Sequence, residues 1–504
     1  MIKLDIPKKF YITTPIYYLN GKLHLGHAYT TIVADCFARY YRLLGSDVFF
    51  LTGTDEHGLK IQHAALEKNM SIESFLEDIY INVKSLWKEL NISYDYFIRT
   101  TDKNHIDTVT KIINIMKNKG DIYKGFYEGY YCKSCEAFYT DKDIINNKCP
   151  EGHDVFLEKE EAYFFKLNKY QDFLLDFYNK NPSFLKPDKR KNEIINFVKN
   201  GLDDLCISRK NVTWGIKLPF DNNFTIYVWL DALFNYVSAL GYPDSDNFKK
   251  YWPVDFQLMG KEIYRFHTVY WPIFLKSVDL EIPKIEFAHG WWTSEGKKMS
   301  KSFGNVVYVQ DYIDKYGVDA FRYYVLREIS FGEDGSFYKS NFIDRINTDL
   351  VANIGNLVSR VTSLAIKRNK EEGFEFYKDE IFVKIVEQKI ELIHSLYQSK
   401  ELTKVVSEIF TLSSIANKYV QDKEPWVLLK ENVDEFDKVI YVLLETIRII
   451  AVELSPILTN SWKKILYQLG IDFENKANLK LEFTNICSKK KIIKGNHLFE
   501  KIDN

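Results

Sequence analysis

The first third of the chain alternates two hydrophobic periods. Phe10, Tyr11, Ile12 and Thr13 form an apolar run of strand length, and Asn20-Gly21 marks a turn. From Ala28 to Leu44 the apolar positions Ile32, Val33, Phe37, Tyr40, Tyr41 and Leu44 recur at helical spacing until Gly45 stops them. Residues 48–52 repeat the strand pattern, and another helical run follows Gly58. Strand, helix, strand, helix predicts a parallel sheet, whose ligands bind outside the carboxyl ends of the strands. From about residue 121 to 219 the pattern breaks into turn-rich, aromatic sequence, and strands resume at 225–229 and 256–259. Beyond 341, Gly and Pro become scarce, and residues 346–366, 379–397, 403–420 and 436–454 carry helical periodicity. The predicted architecture is α/β, a Rossmann-like parallel-sheet domain followed by an all-α helical bundle. Its divisions are 1–120 and 220–340 as two halves of the sheet domain, 121–219 as an insertion, 341–480 as the bundle and 481–504 as a tail packed back or frayed.

Composition narrows the class. A chain of 504 residues, 46% of them hydrophobic, is long enough for several cores, and a length prior suggests about three domains. No stretch reads as membrane-spanning, and the opening Met1-Ile2-Lys3-Leu4-Asp5 lacks an apolar signal core, so a cytoplasmic location is expected. Six cysteines, three of them clustered beside a histidine, suggest metal rather than disulfides. A net charge of −1 gives no global footprint for nucleic acid, so any RNA contact must come from local patches or aromatic stacking.

Two segments carry phosphate chemistry. His24-Leu25-Gly26-His27 opens the first helical run and puts both imidazoles on one face of its first turn. A helix N-terminus offers unpaired N–H groups, Gly26 permits close approach, and the imidazoles add donors. Alone, this pattern also serves as surface chemistry or a metal pair. The second segment, Lys297-Lys298-Met299-Ser300-Lys301-Ser302, is flanked by Gly296 and Gly304 and reads as a mobile basic loop able to close over a polyphosphate. A charge run by itself is usually a solvated face. Elsewhere, Cys132-Lys133-Ser134-Cys135 and Cys149-Pro150-Glu151-Gly152-His153 have the donors and spacing of a tetrahedral, structural Zn²⁺ site that would staple an insertion too small for a large core.

Together these motifs resemble the HIGH and KMSKS signatures of the class I aminoacyl-tRNA synthetases, and their order from about Phe10 to Trp426 is similar to the methionyl-tRNA synthetase family. The resemblance implies ATP-dependent activation of methionine to methionyl-adenylate and transfer to the 3′ end of tRNA(Met), with Mg²⁺ accompanying ATP. It implies His24, His27, Lys298 and Lys301 as catalytic residues on the phosphates, joined at the ATP site by Gly26 and Asp231. Asp231 is also suited to holding an adjoining helix. It implies a methionine pocket of Ile16, Tyr18, Asp55, Trp229, Ala232, Leu233, Tyr236, Ile263 and His267. There Asp55 would pair the ammonium, and the aromatic wall suits a thioether. Asn356 and Arg360, four apart on a helix, and Trp426 match anticodon residues for the CAU loop. Relatives often place the fourth zinc ligand two residues after the third; here the gap is three, which makes His153 the least secure ligand.

Leucyl, isoleucyl and valyl synthetases share both signatures, but the insertion is too short for their editing domain. A cysteinyl enzyme would need its zinc at the substrate. A noncatalytic tRNA carrier is disfavoured by the intact histidines and lysines. The chain stops soon after the helical region, whereas dimeric relatives append a further domain, so a monomer is expected.

Overall fold

The computed structural model describes residues 6–18, 23–132, 137–139, 144, 146–149, 152–210, 212–299 and 304–503. Its strands are β1 (Lys9–Tyr18), β2 (Asp47–Asp55), β3 (Tyr96–Arg99), β4 (Ile122–Cys132), β5 (Ala137–Tyr139), β6 (Phe156–Phe165) and β7 (Leu185–Lys186). They continue as β8 (Leu205–Cys206), β9 (Ser208–Arg209), β10 (Lys217–Leu218), β11 (Asp221–Ile226), β12 (Phe256–Gly260), β13 (Glu286–His289), β14 (Trp292–Ser294) and β15 (Gly335–Phe337). Six of these form one parallel sheet in the order β3-β2-β1-β12-β13-β7. The chain runs outward from β1 to β2 and β3 on one side and from β12 to β13 on the other, where the earlier β7 takes the edge, so a crevice opens above the carboxyl ends of β1 and β12.

Helices on both faces bury the sheet, and β12 and β13 are buried at every position, Gln257, Glu286 and His289 included. β1 departs from regularity near its end: Thr13 faces Leu51 but Ile16 faces Gly53, an extra residue on the β1 side at Thr14-Pro15. Pro15 has no N–H to give the ladder, and the bulge re-aims Ile16, Tyr17 and Tyr18.

The broken region holds a four-stranded antiparallel sheet, β5-β4-β6-β8. Its segment 171–199 does not stay there. The helices Gln171–Lys180 and Asp188–Lys199 flank β7, which pairs with β13 on the edge of the central sheet. The strand expected at 225–229 is shorter than the sequence suggested: β11 ends at Ile226, and Val228–Ala232 is helical. A short apolar run is compatible with either state, and here burial inside the crevice decides for helix.

The C-terminal part is helical. The helix Lys339–Arg345 passes through a π-helical stretch, Ile346–Gly355, into Asn356–Arg368, and Glu380–Gln398, Leu402–Lys423, Val433–Leu454 and Ser461–Gln468 complete the bundle. From Val439 to Leu454 the central helix is buried all round, as a bundle core must be. Tyr40 of the first helix, Leu25–Leu43, stacks on Tyr397 at 3.5 Å and 12°, so the two parts share apolar contacts. The tail packs back: the amides of Lys489, Ile493 and Ile502 donate to Phe374 O (2.9 Å), Gln468 O (2.8 Å) and Asn347 Oδ1 (2.9 Å).

Candidate active site

His24 caps the first helix. The Gly26 amide donates to His24 Nδ1 (3.1 Å) and the His24 amide donates to His27 Nδ1 (3.2 Å), a reciprocal capping box. Both Nδ1 atoms therefore accept, which in the neutral rings puts the hydrogen on Nε2. A Cβ on residue 26 would come within 3.1 Å of the His24 ring, so glycine here also lets that ring fold over the helix end. Burial, then the neighbouring His24, pulls His27 down to about 3. At neutral pH His27 is thus an uncharged donor, and positive charge must come from elsewhere.

It comes from the lysine segment. Lys298 is exposed on the same cavity, and the segment beyond the loop is fastened to the first helix by the Leu25 amide, which donates to Val307 O at 3.1 Å. Lys301, with residues 300–303, lies outside the described residues.

The cavity has a volume of about 810 Å³ and lies at the crevice above β1 and β12. His24, Gly26, His27 and Lys298 line one part; Ile16, Tyr18, Asp55, Trp229, Ala232, Leu233, Tyr236, Ile263 and His267 line the other. Asp55 ends β2, is 9% exposed, and its Oδ1 has no hydrogen-bond partner among the described residues. Burial, then the charge of Asp231, pushes its carboxyl well above the usual range. Trp229 stacks face to face on Phe266 at 3.9 Å. His267 Nδ1–H donates to Ile263 O (3.1 Å), leaving Nε2 to accept from the Tyr236 hydroxyl (2.8 Å). Burial pulls His267 down to about 4, so this end of the pocket is polar but neutral.

Of the two roles expected of Asp231, the ribose or an adjoining helix, the contacts present fit the second. Asp231 does not line the cavity; it is 1% exposed, and its two oxygens accept from His57 Nδ1–H and His105 Nε2–H, both at 2.7 Å. Both carboxylate oxygens thus face His57 at the end of β2 and His105 on the helix Lys103–Asn118. The sequence missed His289. It closes β13 at the cavity, where Nδ1–H donates to Gly290 O (2.8 Å) and Nε2 accepts from the Thr30 hydroxyl (2.6 Å). Its position at a strand's carboxyl end was the available signal.

Comparison with known proteins bears on the whole chain. The family described as tRNA synthetases class I (M) matches residues 10–155 and 151–362, and the anticodon binding domain of methionyl tRNA ligase matches 371–504. The chain belongs to the methionine–tRNA ligase family. The methionine–tRNA ligase of Caldanaerobacter subterraneus subsp. tengcongensis is 46% identical over 510 residues, 98% of this chain and 79% of the relative. That of Rickettsia bellii is 46% identical over 94% of this chain and 95% of its own length. The structure of Mycobacterium tuberculosis methionyl-tRNA synthetase in complex with methionyl-adenylate matches with a TM-score of 0.92 at 36% identity, covering 98% of this chain and 100% of the other. Its apo form matches with a TM-score of 0.85 at 34% identity, covering 99% of each. Membership makes the chain an ATP-dependent ligase that joins methionine to tRNA.

Two further groups of residues lie away from the cavity. In the helical domain Asn356 is exposed, and the Arg360 guanidinium sits over the Trp426 ring at 5.6 Å, with the indole 36% exposed. In the insertion, Cys149 Sγ and His153 Nδ1 are 3.8 Å apart across a tight turn closed by the Cys149 amide donating to His153 O (2.9 Å). The Cys132 side chain and all of Cys135 lie outside the described residues.

Proposed function

We propose that the cavity binds ATP against the first helix and methionine against β2, so that the methionine carboxylate attacks the α-phosphate in line and pyrophosphate leaves toward the lysine loop. His24 and His27 donate Nε2 hydrogens to phosphate oxygens, and Lys298 and Lys301 supply the cationic charge that the neutral His27 cannot. Mg²⁺ accompanies ATP and neutralises phosphate charge. Asp55 takes the substrate's ammonium. The aromatic and aliphatic residues from Ile16 to His267 enclose the thioether, and the Tyr236–His267 hydrogen bond gives it a neutral polar neighbour. The observation that carries this reading is that one cavity, at the switch point of a parallel sheet, joins helix-end imidazoles and a lysine to a buried carboxylate with a vacant oxygen. Methionine-dependent exchange of pyrophosphate into ATP tests it: Asp55→Asn is expected to raise the methionine KM steeply and leave the ATP KM near its original value.

The adenylate then passes its acyl group to the terminal ribose of tRNA(Met). We assign anticodon reading to Asn356, Arg360 and Trp426, supported by the Arg360–Trp426 contact, which presents a cation and a half-open indole together. One structural Zn²⁺ is assigned to Cys132, Cys135, Cys149 and His153. The thiolate and imidazole of the last two approach each other as two ligands of one tetrahedral ion do, and the three-residue gap is accommodated by a turn with Gly152 at φ +82°. The divisions 1–120, 121–219, 220–340, 341–480 and 481–504, a monomeric state and a cytoplasmic location complete the reading. Among the described residues no helix is long and apolar enough to cross a membrane.

A further inference from the structure

Asp231 is buried beneath the ammonium end of the cavity with an imidazole on each oxygen. His57 approaches from the end of β2, and His105 from the helix Lys103–Asn118, where its Nδ1 also meets Ser238 Oγ at 2.8 Å. All four residues are buried. A carboxylate placed so deeply is costly unless it is paired and hydrogen-bonded, and none of the steps assigned above uses it. Its neighbour supplies the reason. His57 follows Asp55 by two residues in the turn that ends β2, and Asp55 is a second buried carboxyl group, near enough for Asp231's charge to act on it. Two carboxylates buried together oppose each other's ionisation unless a cation stands beside them.

We propose that the His105–Asp231–His57 chain is a positioning unit for methionine: it pins the Asp55–His57 turn and keeps one positive charge on His57, so that Asp55 can present an ionised oxygen to the substrate's ammonium. The inference rests on Asp55 as the ammonium partner. The balance of charge supports it. Burial pulls the His57 imidazolium down, but Asp231's charge and hydrogen bond outweigh it and leave His57 above its ordinary range. Burial pushes Asp231 up, yet the charge of His57 and the bonds from both imidazoles bring it down to about 2. Asp55 is pushed up by burial and by Asp231, with His57 pulling the other way. Other ionisable groups here are Tyr18 of β1, raised by burial and by Asp55's charge, Glu56, which is held by Arg99 Nε (2.8 Å) and the Thr54 hydroxyl (2.7 Å), and Glu160, Glu161, Arg209 and Lys210, which line a second pocket with His57. The Trp214 ring, 5.9 Å from the His57 ring, adds no charge.

In the empty pocket burial and Asp231's charge favour the protonated form of Asp55. The methionine ammonium favours the anion that pairs with it, so binding should release protons from Asp55 to solvent. Titration calorimetry of the unaltered protein in two buffers of different ionisation enthalpy reads this directly; binding without proton release overturns the proposal. His57→Gln keeps an amide donor toward Asp231 and removes the charge. It should raise the methionine KM about tenfold at pH 7 and move the acid limb of kcat/KM for methionine up by about one pH unit, with the ATP KM unchanged. Adding Asp231→Asn to that variant removes the opposing anion and should return the limb toward its original place. A limb that His57→Gln leaves in place, or that Asp231→Asn fails to restore, refutes the charge balance. Asp55→Asn separates the two claims. If it leaves methionine affinity intact, Asp55 is not the ammonium partner; if it destroys affinity while His57→Gln moves nothing, only the positioning unit is lost.

Discussion

Arg322 and Asp35 form an ion pair, Nη2 to Oδ2 at 2.7 Å, with neither side chain exposed. Asp35 belongs to the helix that begins at the two histidines, and Arg322 to the helix Val318–Arg327 that follows the lysine loop in the chain. The same guanidinium donates to Leu90 O (3.0 Å), Pro456 O (2.9 Å) and Ile457 O (3.0 Å), and Asp35 also accepts from Arg39 Nε (2.7 Å) and the Ser93 amide (2.7 Å). One buried pair thus ties the ATP-side helix, the segment after the basic loop and the helical domain together, with its remaining donors satisfied by backbone carbonyls.

Breaking this pair from one side leaves a buried charge without compensation, so Asp35→Asn should cost about 3–5 kcal/mol of stability in urea unfolding. The pH dependence follows from Asp35. Burial pushes its carboxyl up, but Arg39, Arg322 and the Ser93 hydrogen bonds bring it below the ordinary carboxylate value. A carboxyl depressed in the folded state stabilises above its unfolded pKa and loses that contribution as pH falls through the folded one. The unaltered protein should therefore lose stability more steeply in acid than Asp35→Asn does; parallel curves would place the acid sensitivity elsewhere.

The lysine loop gives a kinetic expectation. Lys298→Ala and Lys301→Ala should each depress adenylate formation by about 10²–10³-fold, because their charge matters most as the phosphates reorganise, while methionine affinity stays within a few fold. Single-turnover adenylate formation and equilibrium methionine binding, measured on the same preparations, separate the two. A defect confined to methionine binding would remove the lysines from the phosphate site.

The purified chain should carry one zinc. Cys149→Ser takes away a thiolate that is 4% exposed and 3.8 Å from the His153 ring, and should release the metal and loosen the insertion to proteolysis. Elemental analysis finding no zinc in a protein whose insertion resists protease would refute the metal site.

Much of the fold was legible because its elements have clean periods. β1, β2 and the first helix are long enough for strand and helix patterns to separate, and the buried helix Val433–Leu454 announces itself by length. β7 was invisible: two residues carry no period, so its return to the central sheet could not be foreseen from 121–219. The helix of Trp229 was misread as strand for a similar reason, its apolar run being too short to choose a state. In the site, His24 and His27 were legible because a helix start fixes which way both rings face. For Asp231 the sequence left two roles open, since only tertiary contacts with His57 and His105, far apart in sequence, turn its carboxylate inward. Aromatic residues near a pocket motif have no such signal, and resemblance to a known family carried them.

The helical domain separates RNA reading from chemistry. If the Trp426 indole, 36% exposed beneath the Arg360 guanidinium, stacks a splayed anticodon base, Trp426→Ala should weaken tRNA aminoacylation by about 1–3 kcal/mol, the range for base–aromatic stacking. The contact is made only with RNA, and the residue lies in a different domain from the cavity. Methionine-dependent pyrophosphate exchange should therefore be unchanged. Arg360→Ala removes the cation above the ring without opening the bundle core, since Arg360 is only partly buried, and should shift charging in the same direction with exchange again intact. Equal losses in both assays for Trp426→Ala would make the indole a folding residue that seals the start of the helix Pro425–Glu431, and the anticodon would then be read by other side chains.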